Sequence, residues 1–294
     1  MRDAFSDCHP VVNFTFYVGA LVMGMCVVHP VYLCCSSFLS MAYFVTVKRA
    51  WKGYLMGMTG LFVCLSVINP LFNALGETVL YTYFERPYTL EALFYGMAVG
   101  AMFVTILTWF ATYNQVMTSD KFLYCFGKLA PSVSLILTMV LRLVPSFQKK
   151  AEAIAGARKC IGKSVENGSN KEKVEHGMTI VSSLTSWALE GGIVMADSMR
   201  SRGFGTGKRT SFSMYRFGKR DKVLLGLMFV LLSVIIVCAF YGGMDVTYFP
   251  QIHISGIENG WTVWGTVCYV SFLSIPTAMH IWEDLTWRIL RSKI

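Results

Sequence analysis

The stretch Met195–Phe212, MADSMRSRGFGTGKRTSF, ends a helical pattern in Arg200, Ser201, Arg202 and Gly203. A glycine-spaced turn carrying Lys208 and Arg209 follows. Guanidinium groups make charge-assisted, often bidentate hydrogen bonds to carboxylates, and Lys and Arg clustered beside a bilayer attract anionic lipid headgroups. The chemistry open to these residues is therefore recognition of an anionic surface. A cation at the negative end of a helix macrodipole, followed by Gly at the C′ position, is also simply how a helix stops. The crowding of further cations, among them Arg216 and Arg220, is more than such a stop requires.

Other chemistries lack their residues. Gly203–Lys208 has the wrong spacing for a phosphate-binding loop, and no strand pattern precedes it. The five His are dispersed without an H-E-x-x-H pair, and His9 and His29, each before a proline, read as helix-end hydrogen bonders. The nine Cys are scattered, with Cys34 and Cys35 adjacent and no C-x-x-C pair, and read as small core residues rather than a zinc or disulfide framework. No nucleophile and base pair stands out, so the chain reads as a non-enzyme without a metal site. The sequons at Asn13 and Asn167 are chance matches.

The elements that must position the cationic stretch follow from composition. Of 294 residues, 54% are apolar and 15% charged, and mean hydropathy is +0.52. That is a polytopic membrane protein. Its net charge of +9 then fits an excess of Lys and Arg on the cytoplasmic side rather than nucleic-acid binding. On a ruler of roughly twenty apolar residues per crossing, the expected spans are Val11–Val28, Val31–Val47, Tyr54–Ile68, Leu90–Tyr113, Val223–Phe240 and Trp261–Ile281. The first run is expected to be retained rather than cleaved as a signal peptide. His29-Pro30 predicts a tight hairpin, Thr89 an N-cap, and Gly96 and Gly100 a close helix contact.

Between Asn114 and Lys222 Lys and Arg recur every few residues. That region holds eighteen of the 26 cations, and only Arg86 lies off the cytoplasmic side if both termini and this region are cytoplasmic. The apolar run Val133–Val144, followed by Pro145, is read as the start of a long amphipathic helix, because a seventh span there would put a large share of these charges outside. A second long helix is expected over Val174–Ser201. Its polar stripe is Glu175, Thr179, Ser182, Ser186, Glu190 and Asp197; its apolar side includes Val181, Leu184, Trp187, Ala188 and Met195. Glu190 and Asp197 either form a solvated stripe or pair with Arg142 or Lys149.

Several separated strings carry a family resemblance: ALEGGIVMADSMRSRGFGTGKRTSFSMYRFGKRD (Ala188–Asp221), LRLVPSFQKKAEAIAGARKCIG (Leu141–Gly162), HPVVNF (His9–Phe14), NPLFNALGETVLY (Asn69–Tyr81) and WEDLTWRILRSKI at the end. Together they resemble the transmembrane T component of energy-coupling-factor importers of vitamins and metal ions, over most of the chain. The resemblance implies two coupling helices, each ending in a small-Arg-small triplet that inserts into one of two cytoplasmic ABC ATPases. It also implies a membrane-embedded S subunit that selects the substrate, and no cofactor on this chain, since ATP and magnesium are bound by the partner ATPases. The second triplet carries over as Ser201, Arg202 and Gly203. The first falls on Cys160-Ile161-Gly162, where Ile161 replaces the expected arginine and Arg158 and Lys159 lie just before it. The two ATPase contacts are therefore expected to be unequal.

The expected fold is thus an all-α polytopic protein of the cell membrane, with about six transmembrane helices plus two long amphipathic cytoplasmic coupling helices. Residues 1–113 hold about four spans, 114–221 the coupling region, and 222–294 about two spans and a cytoplasmic tail. The alternative is a self-sufficient permease or channel with a basic cytoplasmic domain. Near absence of charge within the spans weighs against it.

Overall fold

A computed structural model describes residues 5–47, 51–73, 76–83, 86–127, 130–163, 169–207, 215–254 and 260–291. Lys208, Arg209 and the Asn167 sequon lie outside the described residues. Helix α1 (Pro10–Cys26) starts on His9, whose Nδ1 accepts the Val11 amide at 3.3 Å. Helix α2 (Pro30–Val47) repeats the device: His29 Nδ1 accepts the Val31 amide at 3.3 Å. In each case proline takes the first helical position, where its missing N–H costs nothing, and the imidazole satisfies an amide that the helix cannot.

Helix α3 (Trp51–Phe72) follows, with Pro70 in its last turn. The fold is all-helical in class; over and just beyond the expected polar stretch Asn73–Tyr88 it adds one short antiparallel pair, β1 (Val79–Tyr83) and β2 (Arg86–Thr89). Helix α4 (Leu90–Val116) begins at Thr89 as expected, with extended backbone there but no capping bond from its side chain. Glu91 instead accepts the Thr78 amide and hydroxyl, tying the ribbon to the helix start. Then come α5 (Ser119–Phe126), α6 (Pro131–Cys160), α7 (Asn170–Ser201) and α8 (Lys219–Phe240). A two-residue pair, β3 (Val246–Thr247) with β4 (His253–Ile254), precedes α9 (Gly260–Arg291).

The chain divides into two compact units, one of Met1–Phe122 with Tyr215–Ile294 and one of Leu123–Met214. In the first, α1, α2, α4 and α9 meet around a ring cluster: Phe16 packs on Trp109 at 5.4 Å and on Phe272 at 5.3 Å, and Tyr43 stacks on Trp109 at 6.1 Å. Large rings bury more apolar area per residue than aliphatic side chains and gain from edge contacts. Helix α4 lies close against α3 because it turns glycines towards it. A Cβ at Gly96 would stand 2.9 Å from the Ser66 carbonyl oxygen, and one at Gly100 would stand 3.2 Å from that of Phe62.

In the second unit Val133–Val144 is the beginning of one continuous helix that passes through Arg142 and Pro145. No residue of α6 or α7 is buried. Among the described residues seven helices are long and apolar enough to cross a membrane: α2, α3, α4, α6, α7, α8 and α9. This is a multi-pass membrane composition, but its membership differs from the six expected spans. By length and hydropathy α6 and α7 qualify, while α1, at 17 residues, is shorter than the others.

Candidate functional site

Helix α7 begins at Ser169 with a capping box, the Glu172 carboxylate accepting the Ser169 amide at 2.8 Å. Its expected polar stripe is exposed throughout: Glu175, Thr179, Ser182, Ser186, Glu190 and Asp197 all face outward. The Thr179 and Ser186 hydroxyls donate to carbonyls one turn back, at Glu175 and Ser182. The opposite side turns inward. Leu184, Trp187, Ala188 and Met195 are half-buried as expected, with Ile180 in place of the expected Val181, which is exposed; Leu135, Met139, Leu143, Phe147 and Ile154 on α6 are half-buried too. Their spacings, mostly three, four or seven residues, keep them on one face of each helix, as one helix needs to lie along another.

Two contacts fix the direction of that pairing. Phe147 meets Trp187 edge-on at 5.5 Å, with Lys150 Nζ 5.8 Å from the same indole ring. Arg158 Nη2 lies 3.2 Å from His176 Nδ1. Moving up α6 from residue 147 to 158 moves down α7 from 187 to 176, so the helices run antiparallel. Arginine can only donate, so the Arg158 bond requires the lone pair of an unprotonated Nδ1. Arg158 is thereby half-buried against α7, while Lys159, Cys160, Ile161 and Gly162 are exposed at the helix end. Sequence spacing placed Arg158 with Lys159 as one cationic group; the bond to His176 separates them.

The two helix ends close identically. After α6 the Gly162 amide donates to the Lys159 carbonyl at 3.1 Å and the Lys163 amide to that of Arg158 at 3.0 Å, with Gly162 at φ +76°. After α7 the Gly203 amide donates to the Arg200 carbonyl at 3.0 Å and the Phe204 amide to that of Met199 at 3.1 Å, with Gly203 at φ +77°. This is the Schellman closure, which satisfies orphan carbonyls and needs a left-handed residue that glycine adopts without strain. Cys160-Ile161-Gly162 and Ser201-Arg202-Gly203 therefore stand in the same register, with Ile161 in the place of Arg202.

Closure alone is no docking signal, because α8 ends in the same way at Tyr241 and Gly242. What sets the α7 end apart is its surface: Arg200, Ser201, Arg202 and Gly203 are all exposed. A guanidinium there complements the helix's own negative end by about 0.3–1 kcal/mol and still presents donors outward. At the α6 end the exposed residue in the same place is apolar, Ile161 being 69% exposed. Because the pair is antiparallel, these ends lie at opposite extremes of it. At 32 residues, α7 is about 48 Å long.

Within the first unit, the start of α8 makes a contact that sequence spacing alone did not single out. Asp221 Oδ2 accepts the Gly218 amide at 3.0 Å and Oδ1 accepts the His9 amide at 3.2 Å, so one carboxylate serves the starts of α8 and α1. A carboxylate is favourable at both positive helix ends. Phe217 packs on the His9 ring at 4.4 Å and Tyr215 on it at 6.5 Å. Among the described residues no group of three or more His, Cys, Asp or Glu is placed to hold a metal ion. No protein-family model and no curated protein matches the chain.

Proposed function

We propose that this chain is the membrane-embedded coupling subunit of an importer of the energy-coupling-factor type. In this reading α6 and α7 are the two coupling helices. Their glycine-closed ends dock on two cytoplasmic ABC ATPases, and closure of the ATPases on ATP moves the helices against a substrate-binding S subunit in the same membrane. The chain itself binds no nucleotide and catalyses no reaction, and the transported vitamin or metal ion is selected by the S subunit.

The observation that supports this reading best is the antiparallel pair with matched, exposed ends at opposite extremes. One stiff body that presents two similar tips about 40 Å apart is suited to bridge two copies or homologues of one kind of partner. Charge supports its cytoplasmic placement. Although α6 and α7 are apolar enough to span, α6 carries Arg142 near its middle and Lys149, Lys150, Arg158 and Lys159 in its second half, a half whose charge a lipid-facing helix does not tolerate. With this region and both termini inside, the cell-membrane topology obeys the positive-inside tendency.

Purification of the intact complex from its native membrane tests the proposal. Two ABC ATPase chains and one small apolar membrane protein are expected in stoichiometric amounts. A chain that purifies alone and transports solute unaided in vesicles would replace this reading with the permease.

A further inference from the structure

Beside α2, α3 and α4 the first unit carries two neighbouring cavities of about 460 and 380 Å³, which share Cys34, Phe62 and Ala101 in their walls. The first reaches up to Pro30, Tyr248 and Ile254; the second reaches down to Met41. From Pro30 to Met41 along α2 is about 17 Å, close to the depth of one leaflet in a hydrocarbon core of roughly 30 Å.

The walls offer little to a polar ligand. Ser37 Oγ is bonded to Thr105 Oγ1 at 2.7 Å, and Thr59 Oγ1 donates to the Leu55 carbonyl at 2.9 Å. At the upper end the Tyr248 hydroxyl donates to the Val28 carbonyl at 2.8 Å, and burial, with Tyr95 beside it, pushes this phenol up from its usual pKa so that it stays a donor. Each wall hydroxyl is thus already bonded within the protein. A hydrated ion, sugar or nucleotide would lose its water without replacement there. The cleft is not sealed: Phe94 is 45% and Ile254 40% exposed. All three flanking helices are among those apolar enough to cross a membrane, so the cleft is continuous with the surface that hydrocarbon covers.

We propose that this cleft is a binding site for one acyl chain of a membrane phospholipid, held between α2, α3 and α4 with its outer end beside Tyr248 and Ile254. Length, apolar walls and continuity with the lipid-facing surface all select a single hydrocarbon chain of leaflet depth. The site does not depend on the coupling function: a permease with the same helices would hold the same chain.

The test uses the full chain reconstituted in phosphatidylcholine vesicles that contain a phosphatidylcholine bearing a diazirine within its acyl chain. After illumination, adducts mapped by mass spectrometry are expected on Phe62, Met97 and Ala101 in about tenfold excess over the outward residues Val63 and Phe103. Ala101→Phe, which fills the cleft where the two cavities join, removes that excess; Val63→Phe leaves it in place. An even spread of adducts over inward and outward residues would overturn the site, whatever the behaviour of Ala101→Phe. Cross-links from these positions to another protein in place of lipid, with a photoreactive residue put at Met97, would overturn it in favour of a partner helix.

Discussion

Ile161 and Arg202 occupy the same position in two identically closed helix ends, each the last residue before a left-handed glycine. The backbone geometry is shared and the side-chain chemistry is not. If an arginine at this place is what an ATPase groove receives, the α6 end has the scaffold for a contact without its cation.

Ile161→Arg restores that cation on an unchanged backbone. The residue is exposed, so no packing is lost, and capture of ATPases by the purified chain is expected to rise or at least hold. Reduced assembly in a quantitative pull-down would show that the α6 end docks through an apolar contact instead.

Gly203 is needed for its φ of +77°. A β-branched residue there costs about 1–2 kcal/mol or more of local strain, and its Cβ would lie 3.3 Å from Thr206 Oγ1. Gly203→Val is expected to fray the α7 end and weaken ATPase capture, with membrane insertion intact. Gly203→Asn, which tolerates the left-handed region, is expected to keep most of it. Equal capture by both variants would show that the closure is not needed for docking.

Trp187 joins the two long helices through Phe147 and Lys150. Trp187→Ala removes an aromatic pair of about 0.5–1.5 kcal/mol and a cation–ring contact of about 0.5–1 kcal/mol. In a unit with no buried residue on either helix, that is a large part of the pairing. Faster limited proteolysis between residues 123 and 214 is expected, and an unchanged cleavage rate would place the main helix contact elsewhere.

Much of this architecture was legible because membrane helices announce themselves in apolar runs, and because His-Pro steps and the Gly96–Gly100 spacing have local causes. The α7 end was legible for the same reason, since a cap is written in adjacent residues; the α6 end came only through the family resemblance. The β1–β2 ribbon was not, since its short polar and aromatic stretch has neither long alternation nor an Asn-Gly turn. Continuity of α6 through Pro145 agrees with the reading of Val133–Val144 as the start of a long helix, since a proline removes one backbone bond while the residues around it keep the helical repeat. The Arg158–His176 bond and the Asp221 joint depend on register between elements, about which spacing within one element is silent.

Gly96 gives a test of the membrane unit that is separate from coupling. Even a methyl would meet the Ser66 carbonyl oxygen at 2.9 Å and the Asn69 Cβ at 3.0 Å, so Gly96→Leu must push α3 from α4. A loss of about 1–3 kcal/mol or more is expected, seen as earlier thermal unfolding in detergent. An unaltered melting temperature would mean that the two helices do not approach this closely.

The most direct measurement is ATPase capture by Arg202→Glu. The substitution reverses one exposed charge at the end of α7 and disturbs no buried group, so the variant is expected to reach the membrane normally while at least one of the two ATPases is lost from the purified complex and ATP-driven uptake falls. Retention of both ATPases at wild-type stoichiometry with Arg202→Glu would contradict docking through the α7 end.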